Sequence, residues 1–140
     1  MLNPREKNIK MKTIFITGAT SGIGKATAET FAKQGYKLII CGRRKEVLEQ
    51  LQIELSNITE VYSLVFDVRN QEEVENAIHS LPEEWKNIDV LVNNAGNAHG
   101  LESISEGNIA DWDAMMDGNV KGLLYVSQPI IKLMKANNSG

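Results

Sequence analysis

The sequence predicts an α/β fold with a doubly wound parallel sheet, and three observations carry that prediction. Short apolar runs alternate with helical stretches along the whole chain, as they do where helices cover both faces of a parallel sheet. The second run, Lys37 to Cys41, is continuously apolar in its second half, as a strand buried on both faces should be. Between the first strand and first helix stands Thr17-Gly18-Ala19-Thr20-Ser21-Gly22-Ile23-Gly24. A glycine-rich turn in that position is the setting a dinucleotide phosphate requires.

The elements come in order. The first strand is predicted over Thr13 to Thr17, and its helix over about Ile23 to Gln34, stopped by Gly35. After Lys37 to Cys41, a helix from Lys45 to Leu55 carries Val47, Leu48, Leu51 and Leu55 at helical spacing. The third strand is Val61 to Phe66, and the third helix Gln71 to Ser80, with Asn70 as its cap and Glu73 three residues on. Pro82 ends that region. The fourth strand, Ile88 to Val92, runs into Asn93-Asn94-Ala95-Gly96. A loop with Gly100 and Gly107 then leads to a long helix from about Asp111 to Lys135, which Asp111 and Asp113 help to start.

That last helix is unusual. Gly118 and Gly122 bracket Asn119 in its middle, and each glycine there costs roughly 1 kcal/mol against alanine, so an irregular stretch is expected. Pro129 is expected to bend it. Val120, Leu123, Leu124, Val126, Ile130, Ile131, Leu133 and Met134 cover about half its circumference, wider than one core contact needs. Asn138-Ser139-Gly140 reads as a loop.

Composition sets bounds. The 140 residues are 42% hydrophobic and 24% charged, ordinary values for one soluble globular domain. A net charge of −3 provides no basic field, so neither nucleic acid nor an anionic membrane is a favoured partner. No apolar run is long enough to span a bilayer, and no metal is expected. Residues 1–11, charged and containing Pro4, lack the apolar core of a signal peptide and read as a flexible extension, with Met11 an alternative start. Residues 12–140 read as the folded domain. The single cysteine, Cys41, suits a reducing cytoplasm and reads as a small buried apolar residue.

The chemistry begins at the first helix. Its first turn leaves backbone N–H groups without intrahelical partners, and the helix dipole adds positive charge there. A pyrophosphate can collect those donors if glycine lets the backbone come close. Gly18 would make the tight turn, Gly22 the approach, and Gly24 the close contact between helix and strand. At the end of the second strand stand Cys41-Gly42-Arg43-Arg44. A carboxylate here would bind the ribose 2′-hydroxyl of NAD. Two guanidinium groups instead suit a 2′-phosphate, which arginine grips in a bidentate fork. Gly42 would leave room for that phosphate. A merely solvated basic helix start is disfavoured, because cations are unfavourable near a helix N-terminus.

The spacing Thr-Gly-x-x-x-Gly-x-Gly, followed by Asn-Asn-Ala-Gly after a later strand, resembles the short-chain dehydrogenase/reductase family, and the resemblance runs from Lys12 to Lys135. It implies a Rossmann fold, here with strand order 3-2-1-4, NADP as cofactor, and hydride exchange with a small-molecule alcohol or carbonyl substrate. The implied phosphate cradle is Gly18, Ala19, Thr20, Ser21, Gly22, Ile23 and Gly24, with Arg43 and Arg44 on the 2′-phosphate. Asp67 would bond the adenine edge, and Val68 would add a backbone contact. Asn94, Ala95 and Gly96 would wall the nicotinamide ribose, while Asn93 ties neighbouring strands. The main-chain carbonyl of Asn119 would hold a water in the proton relay to the catalytic lysine. His99 could line a substrate pocket, although a loop histidine is more often solvated; His79 carries no assignment.

The family's serine and Tyr-x-x-x-Lys pair are not found. Tyr36, Tyr62 and Tyr125 are followed four positions on by Ile40, Phe66 and Pro129. The resemblance places those residues after the long helix, so the chain reads as the amino-terminal, cofactor-binding part of such an enzyme, C-terminally incomplete. Within the family it is most similar to NADP-dependent 3-hydroxy acid (serine-type) dehydrogenases, through Gly42-Arg43-Arg44, Asp67-Val68-Arg69-Asn70, Ser80-Leu81-Pro82-Glu83-Glu84-Trp85 and Asp111-Trp112-Asp113. The family pairs the long helix with its copy, which implies a homo-oligomer, dimer or tetramer. The competing reading is a non-enzymatic NADP-binding regulatory module. A sugar-nucleotide epimerase is disfavoured by both motif spacings.

Overall fold

The computed structural model describes residues 11–140; the extension expected over residues 1–11 lies outside them apart from Met11. Four parallel strands form one sheet in the order β3-β2-β1-β4: β1 Thr13–Ile16, β2 Lys37–Gly42, β3 Val61–Val65 and β4 Val90–Val92. The crossovers are α1 Gly22–Lys33, α2 Lys45–Ser56 and α3 Gln71–His79, and the chain ends in α4 Ile109–Met115, a π-helical segment Met116–Lys121 and α5 Gly122–Asn137. The predicted fold and strand order are both present.

Alternation along the strands divides the interior into two cores. Ile14, Ile16, Leu38 and Ile40 face α1 and α2, where Ala28, Ala32, Leu48, Leu51 and Leu55 complete the packing. Phe15, Ile39, Cys41, Leu64 and Phe66 face α3 and α5, meeting Val74, Ile78, Val126 and Ile130. The small residues of α1 let that helix sit close to the sheet, and this sets its N-terminus against the end of β1. Residues Ile14–Ile16 and Leu38–Ile40 are completely buried, which is why β2 reads as an unbroken apolar run.

Element ends differ from expectation where a side chain replaces a main-chain partner. The fourth strand begins at Val90 rather than Ile88. The Thr13 N–H donates to the Asp89 carboxylate at 2.8 Å, so the regular ladder starts only after Asp89, two residues later than expected. The last helix begins at Ile109, because the Asn108 side chain accepts from the Ala110 N–H at 2.9 Å and caps it. Asn70 caps α3 as expected, accepting from the Glu73 N–H at 3.2 Å while its amide donates to the Glu73 carboxylate at 3.0 Å. Pro129 lies within α5, which continues past it. Below the sheet, Asn137 and Ser139 donate to the carbonyls of Lys86 and Ile88, fixing the end of α5 beside the approach to β4.

Candidate functional site

At the carboxyl ends of β1 to β4 lies a crevice of about 540 Å³. Gly18, Thr20, Ser21, Gly22, Ile23, Arg43, Arg44, Asp67, Val68, Asn94, Ala95 and Gly96 all line it. Two expected cradle residues do not. Ala19 is fully buried in the α1–α2 core, and its N–H donates to the Cys41 carbonyl at 3.0 Å. Gly24 is buried beneath the turn; a Cβ there would stand 2.2 Å from the Gly18 carbonyl oxygen and 2.4 Å from the Asn94 amide nitrogen. Both residues shape the turn from behind.

Two glycines of the turn adopt left-handed backbone, Gly18 at φ 65° and Gly22 at φ 53°. A Cβ on Gly18 would strike Ala95 and Asn94 at 2.9 Å, whereas one on Gly22 would meet no protein atom within 4 Å. Gly22 therefore presents bare backbone to open space at the start of α1. Ser21 caps that helix without a side-chain hydrogen bond, and its first turn carries no acidic residue. The first N–H groups and the positive end of the dipole thus face the crevice with no carboxylate of that turn competing for them, a ready anion site.

The turn is held by the strand-end asparagine. The Asn94 side chain donates to the carbonyls of Thr17 and Gly18, both at 3.1 Å. The Thr17 hydroxyl, buried at the end of β1, accepts from the N–H groups of Asn94 and Ala95 at 3.1 and 3.0 Å. The tie expected of Asn93 thus belongs to Asn94; Asn93 instead donates to the Ser127 hydroxyl of α5 at 2.9 Å. The strand register explains the exchange. Side chains alternate across the sheet, so only one of two adjacent asparagines can face the glycine turn.

The two arginines diverge. Arg44 folds back on the turn and donates to the Thr20 hydroxyl at 3.0 Å, while Arg43 leans toward Asp67, with 3.6 Å between its Nη1 and Oδ2. A Cβ on Gly42 would stand 2.7 Å from the Thr20 methyl group. Glycine there makes room for the Thr20 side chain, and Gly42 itself lines the crevice. Asp67 is also held by Arg69, whose guanidinium bonds both carboxylate oxygens. The hydrogen-bonded guanidinium of Arg69 holds the Asp67 carboxyl below its ordinary value, against the opposing effect of partial burial, and Arg43 adds a weaker attraction. Burial pushes the Cys41 thiol well up, so it stays protonated and supplies no nucleophile.

Asn119 lies in the π-helical segment. Its side chain clamps the main chain of Asn97, accepting from the N–H at 2.8 Å and donating to the carbonyl at 2.7 Å. The expected irregularity of the helix is present here, with the Gly122 N–H reaching back five residues to the Asp117 carbonyl. His99 is exposed and within hydrogen-bond distance of the Asn97 amide, 2.9 Å. Arg69, Asn97, Gly118 and Thr17 also line the crevice and carried no assigned role from sequence. For Thr17 and Arg69 a signal existed, a threonine closing the first strand and a cation two residues after a strand-end aspartate. Among the described residues, no cluster of His, Cys, Asp and Glu could hold a metal ion, and no helix is long and apolar enough to cross a membrane.

Comparison with known proteins gives a consistent picture. A sequence model described as short chain dehydrogenase matches residues 12–140. The NADP-dependent 3-hydroxy acid dehydrogenase of Escherichia coli (strain K12) is 42% identical over 127 residues, 91% of this chain and 50% of that protein. Sulfoacetaldehyde reductase 2 of Chromohalobacter salexigens is 41% identical over the same shares of each chain. Among solved structures, serine dehydrogenase in its closed form complexed with NADP+ superposes with a TM-score of 0.84 at 42% identity, covering 91% of this chain and 51% of that one. An NAD+-bound xylitol dehydrogenase gives 0.87 at 28% identity, covering 92% and 50%. The chain spans about half the length of the curated relatives it matches. Neighbours crystallised with different nicotinamide cofactors share the fold, so the backbone alone does not choose between them.

Proposed function

The chain belongs to the short chain dehydrogenase family, and from that premise we propose that the complete protein is an NADP-dependent oxidoreductase. It would move a hydride between the nicotinamide and a small alcohol or carbonyl, with a 3-hydroxy acid such as serine as the substrate class. One observation carries the cofactor choice. The end of β2 offers Arg43 and Arg44 to the crevice and no carboxylate, beside a helix N-terminus with bare backbone at Gly22. That donor set fits the pyrophosphate and 2′-phosphate of NADP. The substrate class rests on the relatives' names and is the finer part of the proposal.

In this reading the residues divide the work. The first turn of α1 holds the pyrophosphate, Arg43 and Arg44 the 2′-phosphate, and Asp67 and Val68 the adenine. Asn94, Ala95 and Gly96 wall the nicotinamide ribose. The cofactor, when bound, supplies or accepts the hydride. The Asn119 side chain is bonded to Asn97, and its main-chain carbonyl would be the group to hold a relay water. The Tyr-x-x-x-Lys pair implied by the family is not among these residues, since no tyrosine here precedes a lysine by four. That same fact favours the second reading, a regulator that binds NADP without turnover, for residues 1–140 acting alone.

The test pairs titrations of NADP+ and NAD+ on wild type and on Arg43→Ala with Arg44→Ala. Charge-assisted donors are worth roughly 1.5–3 kcal/mol each, about tenfold or more in affinity. NADP+ binding is expected to fall selectively; equal losses for both cofactors would overturn the assignment. NADPH-dependent carbonyl reduction by the complete protein, absent from residues 1–140, separates the enzyme from the regulator. The protein is further proposed to be cytoplasmic and to form a homo-oligomer through its last helix, where Val120, Leu123, Leu124 and Ile131 are exposed.

A further inference from the structure

Arg43 has two anions to serve. It faces the crevice where a 2′-phosphate would arrive, and it already lies 3.6 Å from the Asp67 carboxylate. That long ion pair draws part of its charge away from a phosphate and a closer one would draw more, so the affinity for NADP depends on what else occupies Asp67. Arg69 occupies it. Its Nε donates to Oδ1 at 3.0 Å and to Oδ2 at 3.1 Å, and its Nη2 donates to Oδ2 at 2.6 Å. The Arg69 main-chain N–H adds a bond to Oδ1 at 3.0 Å.

Neighbouring groups keep Arg69 there. Its stem lies against the π-helical segment, with Cγ 3.9 Å from where a Cβ on Gly118 would stand, and the Asp117 carboxylate adds attraction. On the other side, the Glu73 carboxylate accepts from the Asp67 N–H at 3.1 Å and places a second negative charge beside it. Without Arg69, Asp67 would face that charge with Arg43 as its nearest cation. Arg43 would then be pulled onto Asp67 and lost to the ligand.

We propose that Arg69 is a specificity-determining positioning residue: by satisfying Asp67 it leaves the Arg43 guanidinium available to the 2′-phosphate of NADP. The inference rests on the reading of the crevice as an NADP site and assigns Arg69 no contact with the cofactor. It accounts for an arginine two residues beyond the aspartate that the family resemblance gives no role. It also requires that Arg69 matter only while residue 67 is a carboxylate.

The test uses two probes that differ by the 2′-phosphate alone, 2′,5′-ADP and 5′-AMP, titrated by calorimetry on the full chain. The variants are Arg69→Met, Asp67→Asn and the double variant, with Arg69→Gln as a second replacement that retains a neutral donor. The ratio of the two affinities is the readout, so damage to the adenine site cancels. Arg69→Met and Arg69→Gln are expected to lower that ratio about tenfold, the effect of losing one charge-assisted contact. In the Asp67→Asn background the same substitutions should change it by less than about twofold, because Arg43 then has no competitor. A loss that persists in that background would mean that Arg69 touches the phosphate itself, and would overturn the proposal. Equal weakening of both probes would overturn it as well. A wild type showing no preference for 2′,5′-ADP would instead refute the NADP reading, a distinct result.

Discussion

Asn93 and Asn94 are chemically identical neighbours, and the structure predicts very different consequences for removing each. Asn94→Ala deletes two part-buried hydrogen bonds to the Thr17 and Gly18 carbonyls. At a net worth of about 0.5–1.5 kcal/mol each, the loss is about 1–3 kcal/mol. For a chain of this size that corresponds to a fall in Tm of about 4–12 °C. Asn93→Ala deletes one exposed contact to the Ser127 hydroxyl, which water replaces, and should cost less than about 1 kcal/mol.

Asn94→Asp sharpens the test. The shape is nearly conserved, but an ionised carboxylate has no proton to donate and would face two carbonyl oxygens. At neutral pH it should therefore be less stable than Asn94→Ala. Its carboxyl would have a folded-state pKa raised above the unfolded value, so its contribution is favourable at low pH and lost as pH rises through the folded value. The deficit against wild type should shrink on acidification. Differential scanning calorimetry of the three variants across pH decides the matter. Asn93→Ala and Asn94→Ala melting within about 2 °C of each other would refute the reasoning, as would an Asp variant more stable than the Ala variant at neutral pH.

Four further outcomes are expected. Gly24→Ala should cost about 3 kcal/mol or more in urea denaturation, since its Cβ would overlap the Gly18 carbonyl oxygen at 2.2 Å. Gly118→Ala, whose Cβ finds its nearest neighbour at 3.5 Å, should be neutral or stabilising by up to about 1 kcal/mol in the same assay. The Asp67 carboxyl is held below its ordinary value of 3.8, so its stabilising contribution is present above that pH and is lost as pH falls through the lower folded value. Asp67→Asn should flatten that part of the acid limb of a stability-against-pH curve. Finally, light scattering on the complete protein should show an oligomer at micromolar concentration that Leu123→Glu with Leu124→Glu dissociates.

The sheet was legible in the sequence because burial on both faces leaves an unmistakable mark. Ile14-Phe15-Ile16 and Leu38-Ile39-Ile40 have no solvent-facing position, so their apolar runs are continuous and cannot be mistaken for a half-exposed strand. Helix starts were legible where the cap is local, as at Asn70 with Glu73. They were not where an equally good cap stood slightly upstream, as at Asn108 against Asp111. Within the site, the glycine turn was legible because backbone needs a specific residue type there. The division between Asn93 and Asn94 was not, because it depends on which face of β4 meets the turn. For Arg69 the signal was only local, a cation two residues after a strand-end aspartate, and that spacing in a non-helical turn has no periodicity to single it out.

The last helix shows how a locally unfavourable choice becomes intelligible only in three dimensions. By local propensity alone, Gly118 and Gly122 weaken a helix that otherwise wants to form. In the fold, a Cβ on Gly122 would stand 2.8 Å from the Val68 side chain and 3.1 Å from its carbonyl oxygen, so glycine there lets the helix approach the end of β3. The π-helical segment takes an extra residue in one turn, which rotates the succeeding turns of α5 by about 100° relative to a regular helix. That phase shift lets Asn119 point both amide groups at the main chain of Asn97 while Val126 and Ile130 still reach the core. Gly96 belongs to the same arrangement, since a Cβ on it would stand 2.9 Å from the Asn119 side-chain oxygen. The roughly 1 kcal/mol cost of the glycine at position 122 is thus set against its close packing on Val68. The irregularity falls beside the crevice, where departures from local rules are expected to carry function.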